Sequence, residues 1–141
     1  MNGCVDNDCA LCRAQQEDYR LVYKDTHCFC IANIEPLNDG HFMVLPTRHV
    51  VELGDFTPTE LKAVHDVLDR LAKAIKSEYN TDALIALNRG ANTSQNHTHF
   101  HILPSPSPFR QSMAKAHGLP ERQRAPQEQL KAMAERLKRH L

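Results

Sequence analysis

Three histidines alternate along one short segment of the chain. His97, His99 and His101 occupy every second position of HTHFHIL, residues 97–103. In a strand, residues at this spacing share one face, and the residues between them would face the core. An imidazole with a reference pKa of about 6.5 is largely neutral at neutral pH, so it can act as a nucleophile without a separate base. The pattern therefore predicts nucleophilic or acid–base chemistry by histidine.

The same spacing argues against one metal ion shared by all three rings. A strand rises about 3.3 Å per residue, so His97 and His101 would start about 13 Å apart. Zinc–nitrogen bonds are only about 2.0–2.1 Å long. A metalloenzyme that holds a catalytic metal on these three histidines is thus the disfavoured alternative, and separate roles for the three rings are expected.

Two cysteines near the N-terminus have the spacing of metal ligands. Cys9 and Cys12 stand in CALC, which lets both sulfurs point at one tetrahedral ion. A redox pair is the competing interpretation. Such a pair is expected between a strand and a helix of a βαβ unit, whereas this pair lies near the N-terminus, before the first predicted strand. The chain has five cysteines. Without a secretory signal, they favour free thiols in a reducing compartment over a disulfide framework.

The remaining pattern predicts an α+β fold. Residues 57–79 carry apolar side chains at helical spacing behind a capping box of Thr57 and Glu60, so one long amphipathic helix is expected. Strands are predicted over residues 19–25, 27–34, 41–46 and 82–88 and over the histidine segment, with a terminal helix from residue 126. These elements predict an antiparallel sheet of about five strands with helices on one side.

Length and charge indicate one domain followed by an extension. The chain has 141 residues, enough for one core. PSPSP, residues 104–108, marks a boundary, which predicts a catalytic domain over residues 1–105 and a helical extension over residues 106–141. Residues 1–109 hold nine basic and 14 acidic side chains, whereas residues 110–141 hold eight and three. No aromatic residues accompany these bases, so a solvated helix face is expected rather than a nucleic-acid site.

No membrane or secretory segment is visible in the sequence. The longest apolar runs fall short of the eighteen or so residues that would span a bilayer. The first residues, MNGCVDNDCALC, carry acids where a signal peptide would carry basic and then apolar residues. A cytoplasmic protein is expected.

Two segments together resemble the histidine-triad family. HTHFHIL matches its motif of three alternating histidines followed by two apolar residues. NIEPLNDGHFMVLPTRHV, residues 33–50, is similar to the family's upstream segment, in which a Gly-His pair opens a strand that ends in Pro, a basic residue and His. The resemblance spans about residues 9–104. It implies a nucleotide hydrolase or nucleotidyl transferase that acts at the α-phosphate of a purine nucleotide derivative, such as a dinucleoside polyphosphate or a nucleoside phosphoramidate.

The resemblance also implies catalytic and substrate-binding roles. His99 would be the nucleophile that forms a covalent nucleotidyl-histidine, and His101 would bind phosphate or protonate the leaving group. Asn33 would contact the ribose. Asn88, Ser94 and Gln95 would contact the phosphate. The loop that carries them, NRGANTSQN, has fewer glycines than is usual in the family. A nucleotide-sensing or interaction module without turnover is the alternative from another class.

A structural zinc and a homodimer complete what the resemblance implies. In some relatives a CxxC pair joins two histidines around zinc, and the matching positions here are Cys9, Cys12, His49 and His97. Such a closed four-coordinate site is structural. Magnesium would assist only with polyphosphate substrates. Family members commonly join their sheets in a homodimer. His41, in the Gly-His pair, is expected to pack or to orient a neighbour.

Overall fold

The computed structural model describes residues 8–89, 95–118 and 124–141. The chain divides into two compact units, Met1–Pro106 and Ser107–Leu141. The described part of the first unit contains the sheet, and the described part of the second contains two helices, α3 (Phe109–His117) and α4 (Gln127–Lys138). A helix from residue 126 was predicted, whereas α3 was not, because the prolines before it obscure the start of a helical pattern. Gly118 ends α3 with a left-handed φ of 60°.

The first unit is an α+β fold built on one antiparallel sheet, as expected. Its strands are β1 (Leu21–Lys24), β2 (Cys28–Ala32), β3 (Phe42–Pro46), β4 (Ala83–Ala86) and β5 (Phe100–Pro104). They lie in the order β1-β2-β3-β5-β4, and every neighbouring pair is antiparallel. β5, the last strand along the chain, therefore pairs with β3, and this pairing brings the two segments of the family resemblance together.

The long helix α2 (Pro58–Tyr79) begins where the sequence predicted it. The Thr57 hydroxyl accepts a hydrogen bond from the Glu60 backbone N–H, and the Glu60 carboxylate accepts one from the Thr57 N–H. Arg48 adds two bonds to the same carboxylate, at 2.8 and 2.9 Å. The pKa of Glu60 is lowered chiefly by the Arg48 guanidinium. The chain just after β3 is thereby tied to the first turn of α2.

The two faces of the sheet form two separate cores. On one face, Cys28, Cys30, Val44 and Ile102 pack with the apolar side of α2. On the other, Phe29, Ile31, Met43 and Leu45 pack with the N-terminal segment that includes the short helix α1 (Ala10–Arg13). The prediction of helices on one side of the sheet is therefore wrong. A four-residue helix gives too short an apolar pattern to be read from sequence, and alternate residues of β2 and β3 are apolar on both faces.

The histidine segment is only partly a strand. β5 begins at Phe100, so His97 and His99 lie before the regular ladder. There the chain bonds to residues that follow β3 instead, since the Thr98 N–H donates to the Val50 carbonyl oxygen at 2.7 Å. The predicted strand over all three histidines is therefore too long at its start, and His97 does not have to share the direction of the other two.

Candidate functional site

Four side chains from three separate segments converge beside the N-terminal helix. The ligand atoms of Cys9, Cys12, His49 and His97 all lie within 4.8 Å of one another. Cys12 Sγ is 3.3 Å from Nδ1 of His49 and 3.3 Å from Nδ1 of His97, and Cys9 Sγ is 3.8 Å from the latter atom. A tetrahedral zinc ion with ordinary bond lengths places its ligand atoms about 3.3–3.8 Å apart. The donor set and its spacing fit a zinc ion.

Local structure explains why these side chains converge. Cys9 is the N-cap of α1, and its sulfur accepts a hydrogen bond from the Cys12 backbone N–H. One turn of helix therefore brings both sulfurs to the same side. Nε2 of His97 lies 2.9 Å from the Pro46 carbonyl oxygen, to which only an N–H can donate. Nδ1 of His97 then holds the lone pair that faces the sulfurs, and a carbonyl partner of this kind is common for metal-binding histidines.

Burial also keeps His97 in the form that binds metals. The ring is fully buried, and desolvation lowers its pKa from 6.5 to about 4. At neutral pH the ring is therefore uncharged, and a neutral imidazole is the form that donates a lone pair to a metal ion.

The second histidine of the motif is held by the first. Nδ1 of His99 is 2.8 Å from the carbonyl oxygen of His97, so Nδ1 carries the proton. The lone pair of His99 is then on Nε2. The ring is almost fully buried and lines a pocket of about 500 Å³. His99 thus has the tautomer that a nucleophile needs.

The third histidine belongs to a chain of hydrogen bonds that starts at a backbone N–H. The Leu37 N–H donates to Nδ1 of His41 at 3.0 Å, so the proton of neutral His41 is on Nε2. That atom is 2.9 Å from Nδ1 of His101 and donates to it. The proton of neutral His101 is consequently on Nε2. Burial is the largest cause that lowers the pKa of His101, to about 4, and burial also lowers the pKa of His41.

Asn33 lies at the edge of this group. Its Oδ1 accepts a hydrogen bond from the Glu35 backbone N–H at 2.9 Å, and its Nδ2 is 3.4 Å from Nε2 of His41. Asn33 also lines the same pocket as His99 and His101. The short amide side chain at the end of β2 therefore has a local backbone partner and a place beside the histidines.

The pocket has apolar walls and a mixed charged rim. Its apolar residues are Ala10, Leu11, Ile34, Leu37 and Met43. Its charged residues are Arg13, Glu17, Arg20 and Glu35. A flat apolar ring and a phosphate are the kinds of group that such a surface accommodates, because apolar side chains cover a base while arginine binds anions.

The structure brings some of the predicted substrate residues to this pocket and not others. Gln95 lines it together with Asn33. Asn88 is exposed and is not among the described residues that line the pocket. Ser94 lies outside the described residues. The roles of all four in substrate binding stay predictions.

Sequence reasoning missed the contribution of the N-terminal segment to the pocket. Leu11 and Arg13, which flank Cys12, both line it, as do Glu17 and Arg20. The only signal was their closeness in sequence to the cysteine pair, since a segment whose cysteines meet His97 would also lie close to His99. The hydrogen bond between His41 and His101 was likewise not predicted, although an orienting role for His41 was expected.

Comparison with known proteins agrees with this geometry. The family model described as "HIT domain" matches residues 14–107. An uncharacterized HIT-like protein of Mycobacterium tuberculosis is 34% identical over 110 residues, which cover 76% of each chain. An adenylylsulfatase of Arabidopsis thaliana is 29% identical over 73% of this chain, and the match spans 55% of that longer protein.

A solved structure shows the same fold over nearly the whole chain. It is a member of the HIT family from Bacillus subtilis, with a TM-score of 0.70 and 24% identity, and the match covers 96% of this chain and 98% of the other. None of the described helices is long and apolar enough to cross a membrane. The chain belongs to the HIT domain family.

Proposed function

We propose that the protein is a nucleotide hydrolase or nucleotidyl transferase that forms a covalent nucleotidyl-histidine at His99. One observation carries the proposal. Because the His99 Nδ1–H donates to the His97 carbonyl oxygen, the lone pair of a nearly buried imidazole is on Nε2, in a ring that lines a pocket with apolar walls and arginines. The relationship to an adenylylsulfatase supports chemistry at the α-phosphate of an adenine nucleotide.

The first step exchanges one bond to phosphorus for another. Nε2 of His99 attacks the α-phosphorus, an N–P bond forms, and the bond to the leaving group breaks with its electron pair going to the leaving group. The His97 carbonyl oxygen, which keeps its bond to Nδ1–H, stabilises the positive charge that develops on the ring. This contact strengthens as the charge appears, so it favours the transition state.

His101 serves the leaving group. A nucleoside polyphosphate leaves as a stable anion, to which the Nε2–H of neutral His101 can donate a hydrogen bond. An amine leaving group must take up a proton. The bound phosphate favours the charged form of a nearby imidazole, in which both nitrogens carry hydrogen. Cationic His101 supplies the proton from Nε2 and is left neutral, with its hydrogen on Nδ1 and a lone pair on Nε2.

The second step restores the enzyme. A water molecule, or another acceptor, attacks the phosphorus, the N–P bond breaks, and its electron pair returns to Nε2 of His99. After an amine has left, Nε2 of His101 holds a lone pair and accepts the proton of the attacking water. After a polyphosphate has left, His101 still carries its Nε2–H, and the proton of the water passes to solvent. The products are a nucleoside monophosphate and the free imidazole of His99. We infer a dinucleoside polyphosphate or a nucleoside phosphoramidate as the substrate class, since a polyphosphate leaves as a stable anion and an amine can leave once it is protonated.

Zinc and a homodimer belong to the same proposal. Cys9, Cys12, His49 and His97 would hold a zinc ion that ties α1 to the start of the histidine segment, a structural role in a closed donor set. The fit rests on the spacing of the four ligand atoms and on the bond from His97 Nε2 to the Pro46 carbonyl oxygen. Homodimer formation through the sheet is proposed because β4 is an edge strand on which Ile85 is half exposed.

Intact-protein mass spectrometry tests these proposals in one set of samples. After brief incubation with an adenosine phosphoramidate or a diadenosine polyphosphate, denatured parent protein should carry one adenylyl group, and His99→Ala should carry none. The matched control is His65→Ala, because the His65 side chain is 84% exposed on α2 and should not affect the adduct. Native spectra should show a dimer with one zinc ion per chain.

The possible outcomes separate the alternatives. An adduct that persists in His99→Ala would reject His99 as the nucleophile. Binding of the nucleotide with no adduct and no product would favour the sensing module over the enzyme. A native mass without zinc, in protein prepared without chelators, would reject the metal site and leave the cysteine pair as a candidate redox pair.

A further inference from the structure

One peptide group decides which nitrogen of His99 carries the proton. The carbonyl oxygen of His97 accepts from Nδ1 of His99 at 2.8 Å. The N–H of Thr98, which belongs to the same peptide group, donates to the Val50 carbonyl oxygen at 2.7 Å. Because a peptide group is planar and rigid, the two bonds cannot be adjusted separately. A rotation of this plane would break the contact that fixes the tautomer of His99.

The side chain of Thr98 fixes the plane from the other side. Thr98 is 2% exposed. Its hydroxyl donates to the Val51 carbonyl oxygen at 2.9 Å and accepts a hydrogen bond from Nη1 of Arg89 at 3.0 Å. A buried hydroxyl is favourable only when its hydrogen bonds are made, and here both a donor and an acceptor are provided.

Arg89 is in turn held in place by an acid. Nη2 of Arg89 is 2.6 Å from a carboxylate oxygen of Glu52. The Arg89 side chain is only 25% exposed, whereas that of Glu52 is 71% exposed. The guanidinium therefore uses one nitrogen to bind the buried hydroxyl and the other to bind the more exposed carboxylate. We call Arg89, Thr98 and Glu52 the Thr98 clamp.

The Thr98 clamp joins three segments whose relative positions matter for the proposed reaction. Arg89 follows β4, Glu52 follows the segment that carries the proposed ligand His49, and Thr98 stands between the proposed ligand His97 and the proposed nucleophile. A charged guanidinium makes stronger hydrogen bonds than a neutral donor. Although the Arg89 side chain is partly exposed, its loss should therefore weaken the hold on the Thr98 hydroxyl.

We propose that Thr98 and Arg89 are positioning residues that hold the peptide group between His97 and Thr98, and so keep the reactive lone pair of His99 on Nε2. The inference rests on the proposed function only in naming His99 as the nucleophile. Neither residue lines the pocket among its described residues, so neither is expected to touch the substrate.

A double-mutant cycle on the rate of His99 adduct formation tests the inference. In single-turnover measurements at saturating substrate, Arg89→Met should slow adduct formation about tenfold, the effect of one charge-assisted hydrogen bond. Thr98→Val should slow it at least as much, because the hydroxyl is lost while the shape is kept. In the Thr98→Val background, Arg89→Met should have little further effect, since the arginine then has no hydroxyl to bind.

Two controls separate positioning from general destabilisation. Thr98→Ser keeps the hydroxyl and should retain the parent rate. Lys73→Met removes a charge from an exposed ion pair with Asp69 on α2 and should leave the rate unchanged. The substrate KM should stay within about twofold in Arg89→Met, because the proposed role affects the attacking group and not substrate binding.

A measurement without substrate keeps the inference distinct from the proposed function. Nitrogen-15 NMR of the imidazoles at pH 8 reports which nitrogen of His99 carries the proton. The parent should show Nδ1–H, and Arg89→Met should show a clear share of Nε2–H. If the parent forms no adduct, the proposed function fails, and this spectrum still decides the positioning role. Unchanged tautomer and rate in Arg89→Met, or rate losses that multiply in the double variant, would overturn the inference.

Discussion

Burial and backbone contacts set the state of the triad histidines and of His41, with no carboxylate bonded to their rings among the described residues. Desolvation is the largest cause that lowers the pKa of His97 and His101 to about 4, and it also lowers the pKa of His41. These rings are therefore neutral at pH 7. Carbonyl and amide groups of the backbone then select the tautomers, through the bonds to Pro46, His97 and Leu37. A site organised in this way depends on backbone positions more than on neighbouring charges.

The lowered pKa of His101 predicts a pH-dependent loss of stability. Between about pH 6.5 and pH 4 the unfolded chain binds a proton at this residue that the folded chain does not, so the free energy of unfolding falls as the pH falls. After allowance for partial exposure of the ring, the contribution between pH 7 and pH 5 is about 1 kcal/mol. Urea unfolding at several pH values should show a smaller loss for His101→Gln than for the parent.

The comparison isolates His101 because all other titrating groups are common to both proteins. His101→Asn should give the same smaller loss, since it also removes the titrating ring. If parent and both variants lost the same free energy between pH 7 and pH 5, burial of His101 would not be the cause.

At the scale of elements, the turn before β3 depends on one glycine. Gly40 has a φ of +93°, which side chains rarely tolerate. A Cβ atom at this position would lie 2.7 Å from Cγ of Pro104 and 2.8 Å from the Tyr79 ring. The turn therefore packs against the ends of β5 and α2, and it leads directly into His41, which orients His101.

Gly40→Ala is expected to lower the free energy of unfolding by about 2–4 kcal/mol. The estimate combines backbone strain at positive φ with the displacement of a ring and a proline. The control is Gly54→Ala in the short helical turn Leu53–Asp55, because an added Cβ would meet nothing within 4 Å there. That variant should stay within about 1 kcal/mol of the parent in chemical denaturation. Equal stability of the two variants would contradict the role given to Gly40.

At the scale of the whole molecule, the chain divides after the triad strand. The end of the first unit is held by hydrogen bonds to other residues of the same unit. One of them runs from the Ser105 N–H to the Asp82 carbonyl oxygen. All the proposed catalytic and metal-binding residues are in this unit. We propose that it is the catalytic domain and that residues 107–141 are an extension, one residue after the start that the sequence predicts.

A chain that ends at Pro106 should therefore fold and react. We expect its thermal midpoint to stay within about 5 °C of the full chain, which corresponds to a change of about 1 kcal/mol. The rate of His99 adduct formation should also be retained. Circular dichroism and the same mass measurement provide the test, with His99→Ala in the shortened chain as the negative control. Failure of the shortened chain to fold would show that the extension is part of the catalytic domain.

Elements whose signals are local could be predicted from the sequence. Helix α2 was predictable because its cap, proline and apolar spacing all lie within residues 57–79. The strands were predictable to within a few residues from their alternation, and the alternating histidines with the Gly-His strand indicated the family. Each of these signals depends on neighbours along the chain, where the periods of helix and strand constrain residue types.

The contacts between distant residues became known only from the folded structure. It placed α1 on the opposite face of the sheet from α2, began the last strand at Phe100 and not at His97, and put Arg13 beside the pocket that His99 lines. It also joined Arg89 to Thr98 and His41 to His101, contacts that no local period encodes. Such contacts follow from strand order and from the burial of particular side chains, which are properties of the assembled sheet and not of any one segment.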